Sequence, residues 1–110
     1  MAELHISPLA NEDLLSIKEH ITKELDNPTA ATNILAKITK SLRLLIDFPL
    51  SGAPLASIMD FETEYRFVVS DNYISFYRYI DNNETVFVDR VLYARRDYMK
   101  ILFGDIEEQP

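Results

Sequence analysis

The chain has 110 residues, enough to bury one hydrophobic core but not two, and its 47% apolar and 26% charged residues exclude an intrinsically disordered chain. It has no cysteine, which excludes disulfides, thiolate metal sites and a cysteine nucleophile and points to a reducing compartment. A formal net charge of −7 argues against bulk, non-specific nucleic-acid binding, which depends on neutralising many phosphates.

The opening Met-Ala-Glu-Leu-His-Ile has no basic segment or apolar signal region, and no run approaches the roughly 18 apolar residues of a membrane helix. A cytoplasmic protein without membrane contact is expected. Glu3 to Ser7 alternates, with Leu4 and Ile6 on one side, and reads as an edge or partly buried strand. Ser7-Pro8 then opens a helix, the serine as N-cap and the proline at a position where no amide donor is needed. Leu14, Ile17, Ile21 and Leu25 give this helix, from about Leu9 to Leu25, an apolar stripe. Its carboxylates Glu12, Asp13, Glu19 and Glu24 read as the solvated face.

Asp26-Asn27-Pro28 signals a turn, because the residue before a proline is pushed out of the helical region. A second helix follows, with Ala31, Ile34, Leu35, Ile38, Leu42, Leu45 and Ile46 as a broader stripe that ends at Phe48-Pro49. Leu50 to Phe61, with Ser51-Gly52 and Pro54, reads as a loop crossing from helices to sheet. Tyr65 to Ser70, Tyr73 to Ile80 and Thr85 to Tyr93 are rich in aromatic and β-branched residues, and Asp71-Asn72 and residues 81–84 separate them, which predicts a three-stranded antiparallel meander. Arg95 to Phe103 returns to helical spacing before Gly104.

The expected fold is therefore a two-layer α+β domain, a helical hairpin packed on a small antiparallel sheet with a short C-terminal helix and the other sheet face at least partly open. One domain spans residues 1–104, and residues 105–110 form an acidic tail.

Between Tyr65 and Gly104 the chain carries six basic side chains, Arg66, Arg78, Arg90, Arg95, Arg96 and Lys100, against five acidic ones. Guanidinium groups stay charged and offer forked donors to phosphate. In a ribonuclease whose site lacks histidine, arginines could stabilise phosphorane-like charge while a tyrosine such as Tyr93 or Tyr98 moves a proton or stacks on a base. The plainer alternative is that these arginines form ion pairs with Asp89, Asp97 and their like. His5 and His20 have no partners at metal-binding or catalytic spacing, and with only Gly52 and Gly104 there is no glycine-rich phosphate loop. Neither metal nor cofactor is expected.

Tyr65-Arg66-Phe67-Val68-Val69, Asn72-Tyr73-Ile74-Ser75-Phe76-Tyr77-Arg78 and Val88-Asp89-Arg90-Val91-Leu92-Tyr93-Ala94-Arg95-Arg96-Asp97-Tyr98 resemble the strand block and closing Val-Leu-His-Gly-Arg-Arg-Asp signature of RelE/ParE toxins. The Ser-Pro-initiated helix, the helical hairpin and the loop from Phe48 to Gly52 follow in family order. The resemblance implies a growth-inhibiting toxin, neutralised by a cognate antitoxin whose C-terminal segment wraps over helices and sheet, in a higher-order hetero-oligomeric complex. It leaves three readings open: an endoribonuclease that cleaves mRNA on the ribosome, a non-enzymatic inhibitor of DNA gyrase, and an inactive antitoxin-binding relative. For the nuclease, the resemblance implies Arg66, Arg95, Arg96 and Tyr98 as catalytic residues; Arg78, Arg90, Tyr93 and Lys100, from their place on the meander and just after it, are the residues expected to contact RNA or another target. Three positions depart from the nuclease pattern: Ile74 and Val68 stand where active nucleases carry basic residues, and Tyr93 stands where the closing signature has histidine.

Overall fold

The computed structural model describes residues 2–58 and 62–94. Ser7 caps helix α1 (Pro8–Leu25) by accepting the Ala10 N–H at 3.0 Å, and Asp26 ends it in the left-handed conformation, φ 48°. Asn27 caps α2 (Pro28–Asp47) in the same way, accepting from Ala30 at 3.1 Å. Both helices carry proline in their first turn, where a missing N–H costs nothing. The two pack against each other as the expected hairpin.

Strands β1 (Glu3–Ile6), β2 (Ala53–Pro54), β3 (Arg66–Ser70), β4 (Tyr73–Ile80) and β5 (Thr85–Tyr93) form one sheet in the order β1-β5-β4-β3-β2. The meander β3-β4-β5 is antiparallel, as its turns require, and Asp71 and Glu84 take the left-handed conformation at those turns (φ 53° and 49°). The sheet is nevertheless mixed rather than wholly antiparallel. β1 lies parallel to β5, with Glu3 beside Thr85 and Ile6 beside Val88, so the first and last strands are neighbours. The alternation of β1 reveals which side it buries but not the direction of its partner.

One face of the sheet meets the helices. Ala10, Ile17 and Ile21 of α1, Ala31, Ile38, Leu42 and Leu45 of α2, and Tyr73, Tyr77, Val86, Val88 and Val91 of the sheet form the main core. Removing a side chain of this size from water contributes about 1.5–3 kcal/mol. The second face is less open than expected. A smaller cluster of Leu55, Phe76 and Leu92 is buried there, with Tyr65, Phe67 and Ile74 against it, because the loop after α2 folds back as β2 and a 3-10 turn, Leu55–Ser57, that inserts Leu55.

A bulge interrupts the β4–β5 ladder. Tyr77 pairs with Val88 and Phe76 with Arg90, which leaves Asp89 as the extra residue. Val91 thereby joins Val86 and Val88 in the main core although it lies an odd three positions after Val88, while Leu92 passes to the second cluster.

Candidate functional site

The three described arginines of the predicted site lie on adjacent strands but do not converge. Each has its own partners within the chain. Arg90 donates from Nε and Nη2 to the two carboxylate oxygens of Asp13 on α1, at 2.8 and 2.7 Å. The same carboxylate accepts the backbone N–H of Val91 at 3.0 Å. Beyond Val88 the edge of β5 that β1 covers has no strand neighbour, and α1 and its cap take that place: Ser7 N–H donates to Val88 O and Ser7 Oγ to Asp89 O. Asp13 therefore belongs to a built contact and not to a solvated face as the helix pattern suggested. Its side chain is only 12% exposed.

Arg78 donates to Asp89, from Nε at 2.8 Å and Nη2 at 3.4 Å, and its guanidinium carbon lies 6.0 Å from the Tyr65 ring centre and 5.9 Å from that of Phe87. His5 continues this row across the sheet, its ring 5.3 Å from Phe87. The hydrogen bond to the carboxylate raises the Arg78 pKa, as the bond to Asp13 does for Arg90, so both guanidinium groups remain charged. Burial, reinforced by the neighbouring Asp89 carboxylate to which the hydroxyl hydrogen-bonds, pushes Tyr65 up to about 12.

Arg66 serves the loop after α2. Its Nη1 donates to Gly52 O at 2.7 Å and to Leu50 O at 3.3 Å. Tyr77 anchors the same loop from below: its hydroxyl accepts the Gly52 N–H at 3.0 Å and donates to Pro49 O at 2.8 Å. Burial raises the Tyr77 pKa and outweighs the opposing effects of the Gly52 N–H and of Arg66, so the hydroxyl keeps its proton. Gly52 is required here. A Cβ would lie 2.6 Å from the Tyr77 hydroxyl and 2.8 Å from Phe67 O.

Tyr93, at the end of β5, is exposed, with its ring 5.7 Å from that of Tyr73. It borders a groove of about 980 Å³ between α1, α2 and the ends of the strands. Ile17, Ile21 and Ile34 give the groove an apolar lining, and Asp13, Glu24 and Asp71 give it carboxylates. The predicted site residues Arg95, Arg96, Tyr98 and Lys100 lie outside the described residues. Among the described residues, no cluster of three or more His, Asp or Glu side chains could hold a metal ion, and no helix is long and apolar enough to cross a membrane. Sequence reasoning missed Asp13, Tyr77 and Gly52; only the resemblance touched the last, as part of the Phe48–Gly52 loop.

Residues 4–98 match the family model described as the ParE toxin of type II toxin–antitoxin systems, parDE. No curated protein matches in sequence. Among solved structures, the chain is similar to one from the chromosomal ParDE system of P. aeruginosa, with TM-score 0.70 and 17% identity over 86% of this chain and 98% of that one. It is also similar to one from the RelBE2 complex of Mycobacterium tuberculosis (TM-score 0.60, 21% identity, 84% of this chain and 96% of that one). A third, from the intact E. coli RelBE complex, gives TM-score 0.56 at 17% identity over 87% of this chain and 100% of that one. At these identities the structural likeness is one of fold.

Proposed function

The chain belongs to the ParE toxin family of type II toxin–antitoxin systems, and we propose that it arrests growth in the cytoplasm as a non-enzymatic inhibitor of DNA gyrase. The observation that carries this reading is that Arg66, Arg78 and Arg90 are all engaged within the fold, by backbone carbonyls, Asp89 and Asp13 respectively. A phosphate-cleaving site needs cations aimed at the charge that develops in the transition state. Turning Arg78 or Arg90 towards RNA would leave a partly buried carboxylate without its partner, which is strongly unfavourable. Ile74 and Val68, which stand where nucleases of the resembling group carry basic residues, pack against the second cluster and the main core. Neither position has room for a cation without loss of apolar packing.

The groove beside α1 suits the antitoxin. An amphipathic segment laying its apolar side chains on Ile17, Ile21 and Ile34 would meet the carboxylate of Glu24, which a basic residue on that segment would complement, whereas Asp13 and Asp71 are already paired with Arg90 and Lys37. The solved neighbours from the M. tuberculosis and E. coli RelBE systems are toxin–antitoxin complexes, in keeping with a cognate antitoxin for this chain.

The test is to induce the chain alone and to follow growth, plasmid supercoiling and new mRNA 5′ ends in the same cells. Growth arrest with loss of negative supercoiling and no codon-phased cuts is the expected result. Codon-phased cuts, abolished in an Arg95→Ala/Arg96→Ala variant that still binds antitoxin, would establish the nuclease instead. Unimpaired growth would leave only the inactive antitoxin-binding relative.

A further inference from the structure

The C-terminal end of α2 and the turn after it hold three large apolar side chains in solvent: Leu44 is 52% exposed, Phe48 62% and Leu50 59%. Leu44 and Phe48 are one helical turn apart, joined by the Phe48 N–H to Leu44 O bond at 2.9 Å. Ser51 N–H closes the following turn on Phe48 O at 3.0 Å, which keeps Leu50 beside them. Single exposed apolar residues are ordinary on protein surfaces. Two features set this group apart.

The first is how firmly its backbone is held. Pro49, Leu50 and Gly52 are bonded by the Tyr77 hydroxyl and the Arg66 guanidinium, and Gly52 closes on Tyr77 too tightly for any side chain. A surface turn fixed in this way presents its side chains with little ordering left to do on binding. The second is the charge beside it. A shallow depression on α2 is lined by Lys40, Arg43 and Asp47 and shares Leu44 with the patch. Among the described residues Lys40 and Arg43 have no ion-pair partner, in a chain whose net charge is −7.

We infer that Leu44, Phe48 and Leu50, flanked by Lys40 and Arg43, form the surface with which this toxin grips its protein target, at an apolar hollow rimmed by carboxylates. The inference rests on the growth-arresting function proposed above. The patch shares no residue with the groove assigned to the antitoxin, so the two contacts are separable. A nucleic-acid backbone fits poorly, because the centre of the patch is apolar and Asp47 shares the cationic depression.

The experiment compares the full chain with a Phe48→Ser/Leu50→Ser variant and a Lys40→Glu/Arg43→Glu variant. Exposed substitutions of this kind alter stability little. Each variant is expected to need at least about tenfold more protein to arrest growth and to lower supercoiling, as for loss of central contacts in an interface. Thermal unfolding and neutralisation by the co-expressed cognate antitoxin are expected to match the wild-type chain. Wild-type potency in the Phe48/Leu50 variant would overturn the inference while leaving the gyrase reading intact, and loss of antitoxin binding would overturn it by making the patch an antitoxin contact. A wild-type dimer in sedimentation that the substitutions dissociate would also overturn it, by assigning the patch to a second copy. Failure of the wild-type chain to arrest growth would remove the proposed function, and this surface with it.

Discussion

Replacing Asp13 with alanine removes three hydrogen bonds at once, two from Arg90 and one from the backbone N–H of Val91. The side chains of Arg90 and Asp13 are 22% and 12% exposed, so the pair is neither a surface bridge nor fully dry. Breaking a buried pair costs about 3–5 kcal/mol, and the residual exposure places this one near the lower end, about 3 kcal/mol. With an unfolding entropy of about 2.1 cal/mol/K per residue, a chain of 110 residues loses about 4 °C of Tm per kcal/mol, or about 12 °C here. Arg90→Met should cost less, about 2 kcal/mol, because Asp13 still accepts from Val91 and the edge of β5 stays covered. The Asp13→Ala/Arg90→Met double variant should fall short of the sum by about 1–2 kcal/mol. Urea unfolding followed by circular dichroism measures all three. An Asp13→Ala variant within about 1 kcal/mol of wild type, or one less damaging than Arg90→Met, would refute the account of Asp13 as the group that joins α1 to the strand edge.

Tyr77→Phe should destabilise the chain by about 2 kcal/mol, since it leaves the buried Gly52 N–H without an acceptor, and denaturant titration reads this directly. Gly52→Ala should cost about 2–3 kcal/mol through contacts at 2.6 Å with the Tyr77 hydroxyl, 2.7 Å with the Tyr77 ring and 2.8 Å with Phe67 O; combined with Tyr77→Phe it should fall short of the sum only slightly, because the ring contact remains when the hydroxyl is gone. Ser7→Ala should lose about 1–2 kcal/mol by differential scanning calorimetry, as Ser7 both caps α1 and donates to Asp89 O. Tyr65 holds its proton more tightly when folded, with its pKa moved from 10.0 to about 12, so its contribution is complete below pH 10 and is lost as pH rises towards 12. Stability measured across that range should fall more steeply for wild type than for Tyr65→Phe, and parallel curves would show that Tyr65 is not responsible.

Much of the fold was legible because local signals coincide with local structure. Ser7-Pro8 and Asn27-Pro28 mark the helix starts, and the β4 and β5 spans follow from aromatic and β-branched runs between polar turns. The parallel pairing of β1 with β5 was hidden, since it joins residues about eighty positions apart and depends on the whole chain between them. The bulge left a trace that periodicity alone does not decode: Val86, Val88 and Val91 share one face only because Asp89 is extra. Asp13 looked solvated because the helix pattern placed it beside Glu12, which is exposed, and nothing local announces that the free edge of β5 needs an acceptor there. The Tyr77–Gly52 contact was equally out of reach, because tyrosines are common in half-buried strands and a lone glycine in a loop has many uses.

The pairing of the arginines bears on how such a toxin selects its target. Asp89 and Arg90 are adjacent in sequence yet do not pair with each other: the bulge gives Asp89 to Arg78 across the sheet and Arg90 to Asp13 on the helix. Two cations of the strand block are thus neutralised in place, and the third is tied to backbone carbonyls. A surface arranged in this way has little field with which to draw in a polyanion. On the proposed reading, recognition then rests on the apolar Leu44, Phe48 and Leu50 with Lys40 and Arg43 beside them, and the residues that Arg66 and Tyr77 hold in position, from Pro49 to Gly52, adjoin that patch. In this chain an arginine that a nuclease would direct at RNA instead fixes the turn that carries the proposed contact with a protein.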